Sequence, residues 1–291
     1  MAQLRDSRLR SFALIKVASA LANSVGESTA LSVAEGLGRV AAHAVVGRAE
    51  LVVRHQARAW DGPLAGADRR RAVGDAFASY GRYWVEFLRV GSMDPAKVAA
   101  RFRIDGLEYV DEALARGRGA ILAIPHVGGW DVGGAWFVGQ GYPMTVVVEA
   151  LEPPELREWF VGLRRSLGFG VVPLGPAAGT GVVRALRANR VVALLSDRDI
   201  IGGGVEVDFF GESTTLPAGP VALAKRLGAP LMATAIYFEG AGHHTIIRPP
   251  LDLDGDIPTV TQRLAADLEI LIRHAPEQWH LFQPNWPSDR L

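Results

Sequence analysis

From about Phe102 onward the chain alternates short apolar runs with stretches of helical periodicity, and this alternation constrains the fold more than any other feature. The runs are Ala120 to Pro125, Met144 to Val148, Val171 to Leu174, Val191 to Leu195, Pro230 to Phe238 and Thr245 to Arg248. Each is too short for a buried helix and has the length of a strand. The stretches with helical patterns are Leu107 to Arg116, Trp130 to Gln140, Pro154 to Leu167, Thr180 to Ala188, Pro217 to Leu227 and Thr259 to His274. Parallel neighbours need a crossover, and the crossover helix covers a face of the sheet. The pattern therefore predicts an α/β protein with a mainly parallel central sheet flanked by helices.

The first 90 residues differ. Leu31, Ala34, Leu37, Val40, Ala41 and Ala44 recur at helical spacing, Trp60 to Gly66 reads as a turn, and a helix is expected from about Asp68 to Leu88. Its aromatic face of Phe77, Tyr80, Tyr83, Trp84 and Phe87 is expected to pack in the core. The segment Phe12 to Val25 is apolar but falls short of the ~20 residues that span a bilayer. With Arg5, Arg8 and Arg10 before it and Lys16 within it, this segment either lies on an anionic membrane surface or packs as an amphipathic helix. Nothing in the sequence reads as a repeat or linker. We expect one domain over residues 1–291, with a helical, membrane-proximal segment over 1–90 and an α/β catalytic core over 91–291.

Composition removes several functions. With 49% hydrophobic and 21% charged residues the chain is globular, and a formal net charge of zero gives no general attraction to nucleic acid. The absence of cysteine excludes disulfides, thiolate catalysis and cysteine-ligated zinc. No phosphate-binding P-loop and no Gly-x-Ser-x-Gly nucleophile elbow occur.

In a sheet of this kind reactive groups gather where strands end. His126-Val127-Gly128-Gly129-Trp130-Asp131 follows the first run, Glu149 the second, and Ser196-Asp197-Arg198-Asp199 the fourth. An imidazole with an ordinary pKa near ~6.5 takes a proton from an alcohol near neutral pH, and a carboxylate holds it in one tautomer. Gly128 and Gly129 allow close backbone approach and offer amides to an oxyanion. No serine or cysteine lies in the motif, so the attacking hydroxyl is expected on a substrate. Metal ligation by His126, Asp131 and Asp197 lacks a further closely spaced ligand, and no metal is expected.

In order along the chain stand Pro125-His126-x-x-x-x-Asp131, Glu149, Leu163-Arg164-Arg165-Ser166-Leu167-Gly168-Phe169, Asp197-Arg198-Asp199 and Val205 to Glu212. Pro217-Ala218-Gly219-Pro220 and Trp279-His280-x-x-Gln283-Pro284-x-Trp286 follow. This series resembles the bacterial lipid A biosynthesis acyltransferase superfamily, and within it the actinobacterial phosphatidylinositol mannoside acyltransferases, over most of residues 75–287. The resemblance implies a glycerolipid-acyltransferase-like fold and transfer of a long-chain acyl group from acyl-CoA to a mannose hydroxyl of a phosphatidylinositol mannoside. It also implies a peripheral location at the cytoplasmic face of the plasma membrane, with acyl-CoA as co-substrate and no further cofactor. It places the catalytic histidine at His126, its paired acid at Asp131 and a second acid at Asp197, with Glu149 near the sugar.

The expected mechanism has His126 as general base, oriented by Asp131, Asp197 or both. The oxyanion would meet the Gly128-Gly129 amides or Arg164. Arg164, Arg165 and Arg198 are candidates for the phosphates of coenzyme A or of the lipid. Trp130, Trp136 and Phe137 line either an acyl channel or plain core, Phe209-Phe210-Gly211 is read as a structural turn, and His280 as structural. The alternatives are an acyltransferase acting on another lipid acceptor, a thioesterase in which the same base activates water, and, from another class, a noncatalytic lipid-binding protein.

Overall fold

The computed structural model describes residues 15–149 and 153–290. Arg5, Arg8, Arg10 and the start of the apolar segment at Phe12 lie outside the described residues. Among the described residues nine strands run in chain order: β1 (Phe102–Asp105), β2 (Ala120–Ile124), β3 (Met144–Val148), β4 (Gly170–Pro173), β5 (Val191–Leu195), β6 (Val205–Phe209), β7 (Glu212–Leu216), β8 (Leu231–Glu239) and β9 (Gly242–Ile247). Seven of them form one sheet in the order β1-β9-β8-β2-β5-β3-β4, parallel throughout except for the antiparallel pair β8 and β9. The mainly parallel α/β expectation holds, with helices at Leu107–Ala115, Trp130–Gly139, Pro154–Ser166, Ala178–Arg187, Gly219–Leu227 and Ile257–His274.

β2 lies between β8 and β5, and all five of its residues are buried. Ala-Ile-Leu-Ala-Ile can occupy that place because a central parallel strand is covered on both faces and tolerates no polar side chain. Two features escaped the sequence pattern. β1 is a four-residue edge strand whose Phe-Arg-Ile-Asp alternates inward and outward, too short for a run of apolar residues. β6 and β7 form a separate hairpin whose two-residue turn is Phe210-Gly211, both at positive φ, 56° and 76°. That conformation matches the strand twist, and Phe210 adopts it while packed against Trp279. The expected turn at Phe209-Phe210-Gly211 is this hairpin.

The N-terminal helices are Glu27–Ala44, Val46–Ala59 and Gly66–Arg89. In the last of these Phe77, Tyr83 and Phe87 are buried as expected, and Phe87 stacks on Phe160 of the helix Pro154–Ser166 at 4.9 Å. The helix Glu27–Ala44 turns an unexpected face inward. Ala30, Ala34 and Ala42 are buried and Gly38 lies so close to the next helix that a Cβ there would stand 2.2 Å from the carbonyl oxygen of Phe77. Its larger apolar residues point out, with Leu37 65% and Val40 66% exposed. Small residues inward and large apolar ones outward reverse the usual amphipathic pattern.

Candidate active site

Strand adjacency brings the reactive groups together. β2 and β5 are neighbours with Ile124 opposite Leu195, so two residues further on His126 and Asp197 face each other. Asp197 has no solvent exposure, and its carboxylate accepts from His126 twice: Nδ1 lies 2.6 Å from Oδ1 and the backbone amide 2.9 Å from Oδ2. Trp279 Nε1 donates to the same Oδ2 at 2.8 Å, and Asn285 Nδ2 donates to the Asp197 carbonyl at 3.1 Å. A carboxylate only accepts, so Nδ1 carries the proton and Nε2 of His126 is the basic nitrogen. Burial pushes the Asp197 carboxyl up, but the nearby imidazole and these bonds outweigh it and hold the group below its ordinary value.

The other acid of the motif does something else. Asp131 is buried at the start of the helix Trp130–Gly139, and Arg164 clamps it through Nε at 2.8 Å and Nη2 at 3.0 Å. Tyr83 Oη donates to Asp131 Oδ2 at 3.0 Å. Burial and the carboxylate together raise the Tyr83 phenol well above its usual range, and Asp131 keeps Arg164 charged in spite of its own burial. Asp197, therefore, and not Asp131, is the carboxylate bonded to His126. Arg164 is an internal partner of Asp131, with its guanidinium 5.3 Å from the Phe87 ring centre.

The glycine expectation needs correction as well. Gly128 has φ +58 and a Cβ there would lie 2.0 Å from the Ile236 carbonyl oxygen, so glycine is required. Both amides are already used: Gly128 donates to Gln278 O and Gly129 to Ile236 O, each at 3.0 Å. Neither is free for an oxyanion. The helix that follows begins at Trp130 without a side-chain cap, so its N-terminus is a source of positive potential beside the loop.

Two cavities meet at His126. One, of about 220 Å³, is lined by Leu122, Phe137, Met144, Phe169 and the Asp131–Arg164 pair. The other, of about 390 Å³, is bounded by Leu174, Val182, Leu223, Arg198, Ile201 and Gly202. Glu149, exposed at the end of β3, lines both, whereas Arg165 points away from the site on the exposed side of its helix. The ring of Trp130 stands edge-on to His126 at 5.5 Å. Arg157, at the first cavity's wall, was not anticipated.

His280 is buried beside this loop, as a structural role requires. Its backbone amide donates to His126 O at 2.7 Å, its Nε2 lies 2.8 Å from Ser79 Oγ, and its Nδ1 has no partner among the described residues. Burial first, and then the His126 charge, drive its pKa down to about 3.

A model of the bacterial lipid A biosynthesis acyltransferase family matches residues 7–288. The chain belongs to this family. A phosphatidylinositol mannoside acyltransferase of Mycobacterium tuberculosis is 44% identical over 217 residues, covering 72% of this chain and 69% of the relative. The protein of that name from Mycolicibacterium smegmatis is 41% identical over 218 residues, covering 74% and 72%. A lipid A biosynthesis acyltransferase of Haemophilus influenzae is 25% identical over 218 residues, covering 72% and 67%.

Sequence reasoning missed Trp279, Asn285 and Tyr83 as parts of the site. The first two stand in the block from Trp279 to Trp286 quoted above, but spacing alone assigns that block no task. Two outcomes follow from this geometry. Trp279→Phe keeps the ring and removes the bond to Asp197, at a cost of about 1.5–3 kcal/mol, the usual worth of a bond to a charged group. The Asp197 carboxyl then rises toward its ordinary value, so acid unfolding followed by circular dichroism begins at higher pH than in the wild type. The second outcome concerns His280. It binds a proton in the unfolded chain near pH 6.5 but in the folded protein only near pH 3. Stability thus falls as pH drops through that window, by up to about 1.4 kcal/mol per unit. Urea unfolding of His280→Phe at pH 7 and pH 4.5 should show a smaller loss than the wild type, and equal losses would remove His280 from the account.

Proposed function

We propose that the protein transfers a long-chain fatty acyl group from acyl-CoA to a mannose hydroxyl of a phosphatidylinositol mannoside. The observation that carries this reading is the position of His126, with Nδ1 fixed by Asp197 and the other nitrogen left where the two cavities meet. The names of the mycobacterial relatives support the choice of acceptor. A thioester carbonyl and a hydroxyl brought to one base from two cavities need no enzyme nucleophile.

In this reading Nε2 of His126 takes the hydroxyl proton as the oxygen attacks the thioester carbon. Asp197 stabilises the imidazolium that forms. Negative charge on the tetrahedral oxygen faces the N-terminus of the helix Trp130–Gly139. The carbon–sulfur bond then breaks, the imidazolium returns its proton to the thiolate, and coenzyme A leaves. Glu149 accepts hydrogen bonds from sugar hydroxyls, and Arg198, on the wall of the second cavity, serves phosphate groups. Asp131 and Arg164 hold the wall of the first cavity.

On this reading the protein works at the cytoplasmic face of the plasma membrane, bound peripherally. No helix of the described residues is long and apolar enough to cross a membrane. The outward face of Val33, Leu37 and Val40, one stripe of a single helix, supports contact with lipid.

Incubation with palmitoyl-CoA, with and without mannosylated phosphatidylinositol, should release coenzyme A in an acceptor-dependent way and yield an acylated lipid by mass spectrometry. His126→Ala, folded by circular dichroism, should lose at least about 100-fold in rate, the lower end of a general base's contribution. Coenzyme A release that ignores the acceptor, with no acylated lipid, would make the protein a thioesterase. Sedimentation with vesicles containing phosphatidylglycerol tests the lipid face. Leu37→Glu with Val40→Glu should weaken binding at least about tenfold, since each buried side chain of this size contributes about 1.5–3 kcal/mol. Unchanged sedimentation would remove this face from the membrane.

A further inference from the structure

The C-terminal segment that holds Asp197 has little regular structure of its own. After the helix Ile257–His274 the described residues form only two short 3-10 turns, Pro276–Gln278 and Pro287–Arg290. Trp279 and Asn285, which bond Asp197, lie between them. Asn285 belongs to neither a helix nor a strand, so its place is set by side chains that take up the backbone groups around it.

Asp289 does this from within the segment. Its side chain is fully buried, and Oδ2 accepts the backbone amides of Asn285 at 2.9 Å and Trp286 at 3.1 Å, closing the turn that carries Asn285 on one carboxylate. The N-terminal helix Val46–Ala59 then grips that carboxylate. His55 Nε2 lies 2.9 Å from the same Oδ2, and its Nδ1 lies 2.8 Å from the Leu281 carbonyl oxygen. Both partners only accept, so both ring nitrogens donate. The His55 ring also packs against Trp279 and Trp286, with centres 5.6 and 5.1 Å apart. Arg58, one turn further on, donates from Nη1 to Asp289 Oδ1 at 3.2 Å and lies 4.1 Å from the Trp286 ring centre. Burial pushes the Asp289 carboxyl up, but the His55 bond and the two amides outweigh it and hold the group well below its ordinary value.

We propose that His55 and Asp289 are positioning residues for the His126–Asp197 dyad. Two routes lead from this clasp to Asp197. One is polar: Asp289 fixes the Asn285 amide, and the Asn285 side chain donates to the Asp197 carbonyl. The other runs through rings: His55 packs on Trp279, whose indole N–H donates to the Asp197 carboxylate. Neither His55 nor Asp289 lines either cavity, so changes at them act on turnover and leave substrate affinity in place. The inference rests on the reading that His126 is the base.

Two measurements test this: steady-state acyl transfer from palmitoyl-CoA, and exchange of the Trp279 indole N–H, read by NMR with labelled tryptophan and assigned by its loss in Trp279→Phe. In Asp289→Asn, which keeps the shape and removes the charge, kcat should fall about 10- to 100-fold with KM for both substrates nearly unchanged, the effect of a displacement on the order of 1 Å. The indole should exchange at least about tenfold faster while the backbone amides of β2, followed by mass spectrometry, keep their rates. His55→Gln keeps a donor toward Asp289, whereas His55→Asn keeps only the one toward Leu281. The first should retain most of the rate, and the second should resemble Asp289→Asn. Unchanged kcat and indole exchange in folded Asp289→Asn would overturn the proposal. Equal acceleration at the indole and at β2 would overturn it too, since that is loss of stability alone. Should Asp289→Asn not fold, equal kcat for the two His55 variants would overturn it. Exchange is read without turnover, so a faster indole alone, in a protein whose wild type transfers no acyl group, would uphold the clasp and refute the proposed reaction.

Discussion

Asp197 is a charge with no exposure to water, and the rest of the site depends on how it is satisfied. Taking a carboxylate out of water costs several kcal/mol unless its oxygens are bonded. Here the bonds come from two distant parts of the chain: His126 from the loop after β2 and Trp279 from the C-terminal segment, while Asn285 of that segment holds the Asp197 carbonyl. The same segment accepts the Gly128 amide and donates from His280 to His126 O. Sheet, His126 loop and C-terminal segment thus meet at one buried group. A slip of one residue in the β2–β5 register would place His126 opposite the wrong neighbour and leave that charge unpaired.

The Asp131–Arg164 pair stands beside this dyad and is built for a different load. Two parallel N–H···O bonds fix the helix Trp130–Gly139 to the helix Pro154–Ser166 at a defined angle. These two helices wall the cavity that runs under His126. Were Asp131 to swing toward His126, Arg164 would remain charged and buried beside Phe87 and Phe160 with no carboxylate to balance it. The two acids of the site therefore cannot exchange tasks.

The sheet was legible because its strands are short and apolar, with Gly119 and Pro125 around β2 and Pro143 before β3, and the β2, β3 and β5 runs appear where the pattern put them. β1 was not, since Phe-Arg-Ile-Asp at an edge needs only one inward face. The candidate residues were legible as types at strand ends, but their pairing was not. Sequence places Asp131 five residues from His126 and Asp197 seventy-one, and only the order of strands makes the distant one the partner. The oxyanion reading of Gly128 and Gly129 failed for a related reason. Their amides answer to Gln278 and Ile236, residues that no local motif could name.

A base of this kind does not choose its nucleophile. His126 keeps about a fifth of its side chain exposed (19%), so water can reach the same nitrogen that a sugar hydroxyl would use. Selection must then come from what stands between His126 and solvent when both substrates are bound. The first cavity is lined mainly by apolar side chains, and on the proposed reaction an acyl chain within it would displace water from that side. The second is wider and bounded by Ile201 and the Gly202–Gly204 loop, so only an occupant of some bulk would dry it. On the proposed reaction, preference for transfer over hydrolysis is a property of the acceptor's fit in that second cavity, and the dyad itself contributes equally to both outcomes.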